Sequence, residues 1–217
     1  LSSGANNGLS ILDGTLTVTG AVTLVGPVSI GNGVLNLHNG GSLAALANTG
    51  TLNILDGTVS ASAFAVNDGV LHIAGGATFS TQGNDLGNRD TGVISGSGTL
   101  DLGVATLTNH GGLKPGGSLA AGRLTISGNF LNGASGYVDA EVGGVTPGTG
   151  YDVLAISGSA SLDGIFRSTL INGFAPSGQT FTPVTYAART GAFTTLNLPS
   201  GFSHVYNAGD LRLSHSV

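Results

Sequence analysis

Hydrophobic and polar positions alternate strictly in short runs along the chain. Thr15-Leu-Thr-Val-Thr19 alternates in this way, as do Val34-Leu-Asn-Leu-His38, Thr51-Leu-Asn-Ile54, Val70-Leu-His-Ile73 and Thr99-Leu-Asp-Leu102. Successive side chains of a strand point to opposite faces, so a period of two predicts strands with one buried and one wet face. Gly, Asn or Asp bounds each run, and these residues tolerate left-handed turn conformations. Second strands are expected between these runs, at Ala21-Val-Thr-Leu-Val25, Ala63-Phe-Ala-Val66 and Ala77-Thr-Phe79. The single helix-like stretch is Ser42-Leu-Ala-Ala-Leu-Ala-Asn48.

The strands share a sequence register. A Gly-x-Leu-x-(Ile/Leu/Val) pattern begins at Gly14, Gly33, Gly50, Gly69, Gly98, Gly122 and Gly209. The first four are separated by 19, 17 and 19 residues. Gly-Gly-Ser-Leu-Ala-Ala occurs at Gly40–Ala45 and again at Gly116–Ala121, and Leu-Asp-Gly occurs at Leu12–Gly14, Leu55–Gly57 and Leu162–Gly164. Self-similarity near 20 residues marks a solenoid in which each repeat is one coil stacked on the last. The expected fold is all-β: a parallel β-helix over residues 1–112, right-handed by the usual chirality of parallel crossovers. Leu16, Leu35, Leu52 and Leu71 should then stack in one inward column. A β-sandwich or jelly roll also gives many short strands, but it does not need the same residue at the same register every 17–19 positions.

Composition agrees with strands and narrows the function classes. The chain has 39 Gly, one Glu (Glu141) and one Lys (Lys114), which leaves little to build helices from. Only 8% of residues are charged, yet 40% are hydrophobic, so the chain is not a disordered polar one. The Gly excess has no G-X-Y period, which excludes collagen. The six basic residues are scattered and the net charge is −5, so no row of phosphates is matched and nucleic acid is not an expected partner. No apolar run approaches the roughly 20 residues of a transmembrane helix. With no Cys there are no disulfides, thiolate metal sites or thiol catalysis. With no Met either, Leu1 is read as a processed or trimmed start from which any targeting peptide has gone.

The texture changes after Lys114. Five of the six prolines (115, 147, 176, 183 and 199) and most of the aromatic residues lie beyond it. Residues 113–217 are therefore expected to continue the β-helix with longer coils and hairpins that form a C-terminal cap. This half carries Pro115-Gly-Gly-Ser118 followed by Ala121-Gly-Arg-Leu-Thr-Ile-Ser-Gly-Asn-Phe130. Next come Tyr151-Asp-Val-Leu-Ala-Ile-Ser-Gly158 and Ala160-Ser-Leu-Asp-Gly164, then Phe181, Gly191-Ala-Phe193, Leu198-Pro199 and Asp210-Leu-Arg-Leu213. Together these resemble the C-terminal segment of autotransporter passenger domains, over about 100 residues. The resemblance implies a secreted bacterial cell-surface β-helix whose C-terminal section assists folding or capping. The sequence to Val217 does not include the outer-membrane barrel of a complete autotransporter, and six or seven coils before the cap make a short solenoid. A released fragment and a fibre subunit both fit.

Candidate chemistry is sparse. Asp13, Asp56, Asp68 and Asp163 each precede Gly, which is turn chemistry. Stacking Asp13, Asp56 and Asp68 into a calcium corner is the alternative, but the nonapeptide repeat of calcium solenoids is absent. His38, His72, His110, His204 and His215 show no metal spacing, and Gly31-Asn-Gly33 and Gly96-Ser-Gly98 open no helix that could hold a phosphate. No catalytic, cofactor or metal residue is assigned. The densest charge lies in Gln82–Asp90, where Asn84, Asp85, Arg89 and Asp90 form a candidate surface-binding loop. There the repeat spacing grows to 29, so the loop is expected to project. The Thr15, Thr17 and Thr19 row is not sustained, because Asn36, Asn53 and His72 follow in register.

The expected function is structural: an extracellular stem, adhesin segment or fibre subunit on the bacterial surface or in its matrix. Leu1–Gly8 is small and polar, and Leu9-Ser-Ile11 offers a strand, with Leu9 and Ile11 as candidate subunit contacts for head-to-tail β-augmentation. The alternatives are a glycan- or surface-binding module using residues 82–91 and, with least support, an enzyme acting on polysaccharide.

Overall fold

The computed structural model describes Ser2–Ser3 and residues 8–217. Leu1 and most of the small polar stretch before Gly8 considered above for docking lie outside the described residues. Strands and turns account for the described chain, with no helix among the described residues. None of its elements is therefore a helix long and apolar enough to cross a membrane.

The strands lie in two sheets. One contains Thr15–Val18, Val34–Leu37, Thr51–Ile54, Val70–Ile73, Val93–Gly96, Gly112–Pro115, Tyr137–Val142, Ile165–Leu170 and Thr195–Asn197, each beside the next. After each of the first eight the chain crosses to the second sheet, runs through one long or two short strands, and returns; after Thr195–Asn197 it ends in the second-sheet strands Phe202–Tyr206 and Asp210–His215. Every neighbouring pair in the first sheet is parallel, as are the pairs between successive passages in the second up to Ala188–Gly191. A sandwich is built from antiparallel pairs, so this pairing excludes it. Parallel strands in stacked sheets are compatible with a β-solenoid.

The leucine column forms in register. Leu16 pairs with Leu35, Leu35 with Leu52 and Leu52 with Leu71, and the column continues through Ile94, Leu113, Val138, Phe166 and Leu196. From Leu35 to Phe166 every member is fully buried. Glycine permits the close stacking at one corner: a Cβ on Gly50 would collide with the Gly31 carbonyl, and one on Gly69 with the Gly50 carbonyl. Only hydrogen fits where rungs about 4.8 Å apart turn on top of one another.

Four expectations are corrected. Ser42–Asn48 lies within the strand Gly41–Asn48, because its Leu43, Leu46 and Asn48 face the interior and pair across the stack. The seven Gly-x-Leu patterns do not share one face. Gly14, Gly33, Gly50 and Gly69 precede first-sheet strands, whereas Gly98 and Gly122 precede Thr99–Asn109 and Arg123–Asn132 in the second sheet. Gly209 precedes the antiparallel strand Asp210–His215. The two Gly-Gly-Ser-Leu-Ala-Ala copies also diverge: Leu43 is buried in a strand, while Leu119 sits in a turn with φ 60° and is 74% exposed. Finally, residues 82–91 do not project as one loop. The first sheet resumes at Val93, and Leu86–Asn88 is a strand paired with Val66–Asn67 and with Thr99–Asn109.

At the C-terminal end the pairing changes from parallel to antiparallel. Asp210–His215 is antiparallel to Thr180–Thr185 and to Phe202–Tyr206. The register shifts between Phe181 and Val184, around Pro183, which has no N–H for the ladder. The aromatic residues gather here. Phe181 lies 5.3 Å from Tyr151, 5.8 Å from Phe202 and 6.3 Å from Phe174, centroid to centroid, and Phe193 lies 5.5 Å from Phe166.

Candidate functional site

The outward face of the first sheet carries one polar column, from Thr17 through Asn36, Asn53, His72, Ser95 and Lys114 to Asp139, Arg167 and Asn197. Its first half is joined by hydrogen bonds. Asn36 Nδ2 donates to Thr17 Oγ1 at 3.0 Å, Asn53 Nδ2 to Asn36 Oδ1 at 2.8 Å, and His72 Nδ1 lies 3.1 Å from Ser95 Oγ. Burial holds the His72 ring below the usual imidazole range.

At Lys114 the column becomes charged, and a cavity of about 320 Å³ opens over it, lined by Lys114, Ser118, Asp139, Arg167, Thr169 and Asn197. Lys114 Nζ is 3.7 Å from Asp139 and Arg167 is 3.5 Å from it. Both are ion pairs at or beyond the limit of a hydrogen bond. Neither Lys114, Arg167 nor Asn197 donates a side-chain hydrogen bond among the described residues. Burial pushes the Asp139 carboxyl up, Arg167 and Lys114 pull it down, and Glu141 pushes it up again. The Arg167 guanidinium lies 4.3 Å from the Tyr137 ring centroid, and this ring occupies the space where a Cβ on Gly112 would sit. Tyr137 thereby fixes Arg167 in place.

The wall of the cavity is the turn after Pro115. Two carboxylates hold it. Glu141 accepts hydrogen bonds from the N–H groups of Leu119 and Ala120, each at 2.9 Å. Behind it the fully buried Asp152 accepts from Gly122 N–H at 2.7 Å and from Glu141 N–H at 2.8 Å. Gly116 has φ 76°, and a Cβ there would collide with the Ala120 carbonyl and meet the Asp152 carboxylate. The Gly of Pro-Gly-Gly-Ser and the Asp of Tyr-Asp are thus two halves of one contact.

Burial pushes the Asp152 carboxyl up to about 7, against the pull of the two N–H groups and with help from Glu141 and Asp139. The ordinary value is 3.8, so between about pH 4 and pH 7 the folded chain holds a proton that the unfolded chain releases. This contribution is full below pH 4 and is lost as pH rises through 7. Denaturant melts should show stability falling between pH 5 and pH 8. Asp152→Asn should flatten that slope while costing about 1–3 kcal/mol at pH 5, since an amide nitrogen would face one of the two N–H donors. A slope that survives the substitution would refute the assignment.

The residues singled out from sequence are dispersed. Arg89 pairs at 3.3 Å with Asp68 of the preceding passage, and Asp90 accepts from Ser135 Oγ at 3.1 Å. Asp85 accepts from Thr106 N–H at 2.8 Å, and Asn84 Nδ2 donates to the Thr81 carbonyl at 2.7 Å. All four are exposed, but their polar atoms serve the stack itself. Leu9–Ile11 is a strand, parallel to Val28–Ile30; Ile11 is buried in the core and Leu9 half-buried, so the Ile11 side chain is not available as a contact and the backbone edge is what the strand can pair through. Asp13 and Asp68 precede corresponding first-sheet strands three passages apart, while Asp56 lies on the corner after such a strand, beside His38 Nδ1 at 2.8 Å. The stacked calcium corner does not form.

Sequence reasoning missed a buried asparagine ladder. Asn48, Asn67, Asn88, Asn109 and Asn132 stack at one corner, and each Nδ2 donates to the next Oδ1 at 2.7–2.8 Å. Four of them also donate to turn carbonyls, at Gly69, Gly92, Gly111 and Gly136. The readable signal was an Asn two to four residues before the Gly that opens the next first-sheet strand, recurring at intervals of 19, 21, 21 and 23. No known protein-family model matches the chain, and no curated protein matches it significantly.

Proposed function

We infer that the chain is an extracellular structural protein of the bacterial surface or matrix, a β-solenoid stem, adhesin segment or fibre subunit, and not an enzyme. The observation that carries this reading is the unbroken stack: nine first-sheet strands in parallel register over one aliphatic column and one asparagine ladder. Backbone ladders and hydrogen-bonded asparagines make a stiff element without disulfides, suited to conditions outside the cell. In this reading the coil is right-handed, and the antiparallel strands Phe202–Tyr206 and Asp210–His215, with their aromatic cluster, serve as a cap that blunts the C-terminal edge. The resemblance of residues 113–217 to autotransporter passengers supports both the cap and the surface location. Head-to-tail growth through the backbone edge of Leu9–Ile11 would make the stem a fibre.

Two measurements test it. Brief protease treatment of intact producing cells should release peptides of this chain; recovery only after lysis would refute the location. Electron microscopy over a hundredfold range of concentration should show filaments that lengthen, and monodisperse particles throughout would remove the fibre while leaving the stem.

A further inference from the structure

The cavity beside Lys114 lies on the outward face of the first sheet, apart from the buried leucine column and the asparagine ladder. The outward column is linked by neighbour-to-neighbour hydrogen bonds at Thr17, Asn36 and Asn53, whereas from Lys114 onward it carries ion pairs and no such bonds. Lys114, Arg167 and Asn197 line the cavity with side-chain N–H groups that donate no hydrogen bond, Asp139 lines it with a carboxylate whose Oδ2 has no hydrogen-bonded donor, and Ser118 and Thr169 add hydroxyls. Asp139 and Glu141 balance Lys114 and Arg167, so the lining is neutral overall. Arg167 is clamped over Tyr137 at 4.3 Å, and the opposite wall is fixed by the Glu141 contacts to Leu119 and Ala120. Arg167 and the Leu119–Ala120 turn therefore have contacts that orient them before any ligand arrives, which lowers the entropic cost of binding. The volume of about 320 Å³ is at the small end of ligand sites, the size of one or two sugar rings.

We propose that this cavity binds a neutral saccharide, with Asp139 accepting from one hydroxyl while Arg167 and Asn197 donate to its vicinal neighbour. A hydroxyl is donor and acceptor at once, and a vicinal pair matches a carboxylate set between fixed N–H donors. A fully ionic ligand gains less, because each sign of charge in the lining is already opposed by the other. The site is independent of residues 82–91 and of the stem role.

The test is NMR titration of the folded chain with cellotriose, mannotriose and galactotriose, with trigalacturonate and triglutamate as charged comparators. At least one neutral trisaccharide should bind with a millimolar or tighter Kd and shift the amides of Lys114, Ser118, Arg167 and Asn197. Asp139→Asn and Arg167→Lys should each weaken it tenfold or more while thermal melting shows both variants folded. The second keeps the charge and loses the planar fork. Asn53→Ala, on the same face outside the cavity, should leave it unchanged. Failure of all three neutral sugars to bind at 10 mM, tighter binding of either charged comparator, or equal binding by Arg167→Lys would overturn the proposal.

Discussion

Replacing Asn88 with Ala should cost about 3–4 kcal/mol in denaturant unfolding, while the same change at Asn48 should cost about half as much. Asn88 sits mid-ladder: its Oδ1 accepts from Asn67 at 2.8 Å, and its Nδ2 donates to Asn109 at 2.8 Å and to the Gly92 carbonyl at 3.1 Å. Truncation leaves a cavity and deprives the buried Asn109 Oδ1 of its donor, and an orphaned buried polar group costs about 1–3 kcal/mol. Asn48 ends the ladder. Its Oδ1 already has no partner, and the chain position stacked on it is Ile30. Removing Asn48 therefore orphans the Asn67 Oδ1 but also deletes one orphan that the folded chain already carries. Equal costs at the two positions would show that the ladder is a row of separate turn caps and not a connected network.

The second large effect separates two adjacent residues. Leu71→Ala should cost about 2–5 kcal/mol, and His72→Ala no more than about 1 kcal/mol. Leu71 is fully buried between Leu52 and Ile94, so its loss opens a void that flanking rungs cannot fill without breaking their own register. His72 faces outward and loses one contact, to Ser95. A stack of this kind shares stability between nearest neighbours. Hydrogen exchange should therefore localise the Leu71→Ala damage to Thr51–Ile54, Val70–Ile73 and Val93–Gly96. Uniform loss of protection along the chain would mean that it folds as one cooperative unit.

The alternation at Thr15–Val18 or Val70–Ile73 was readable because burial in a strand has a period of two, a property of adjacent residues. The leucine column was readable for a related reason: rungs of near-equal length bring the same residue back at 17–19 positions. The reading failed where rung length changed. The passage after Gly69 is 23 residues long and resumes at Gly92, yet the pattern reappears at Gly98, which opens a strand of the other sheet. Gly-x-Leu-x-Leu signals a strand entering a buried stack and carries no mark of which sheet receives it. The same ambiguity made residues 82–91 look like an insertion, and the repeated hexapeptide misled because one copy lies in a strand and the other in a turn.

The candidate site was less legible still. Lys114, Asp139, Arg167 and Asn197 are 25, 28 and 30 residues apart, on rungs that lengthen steadily toward the C-terminus, so no fixed period links them. The asparagine ladder was hidden among turn residues, since an Asn before a Gly reads as a turn whether or not it touches another Asn.

The sequence by itself determined that the chain forms strands, which side chains turn inward on them, and that successive passages repeat, because those properties depend on neighbours along the chain. Only the tertiary structure decided which strands share a sheet, that five asparagines form a single buried ladder, and that two cations meet one carboxylate over a cavity. These depend on how passages of 17 to 30 residues close on one another in three dimensions, since the turns absorb the differences in length while the strands keep one register.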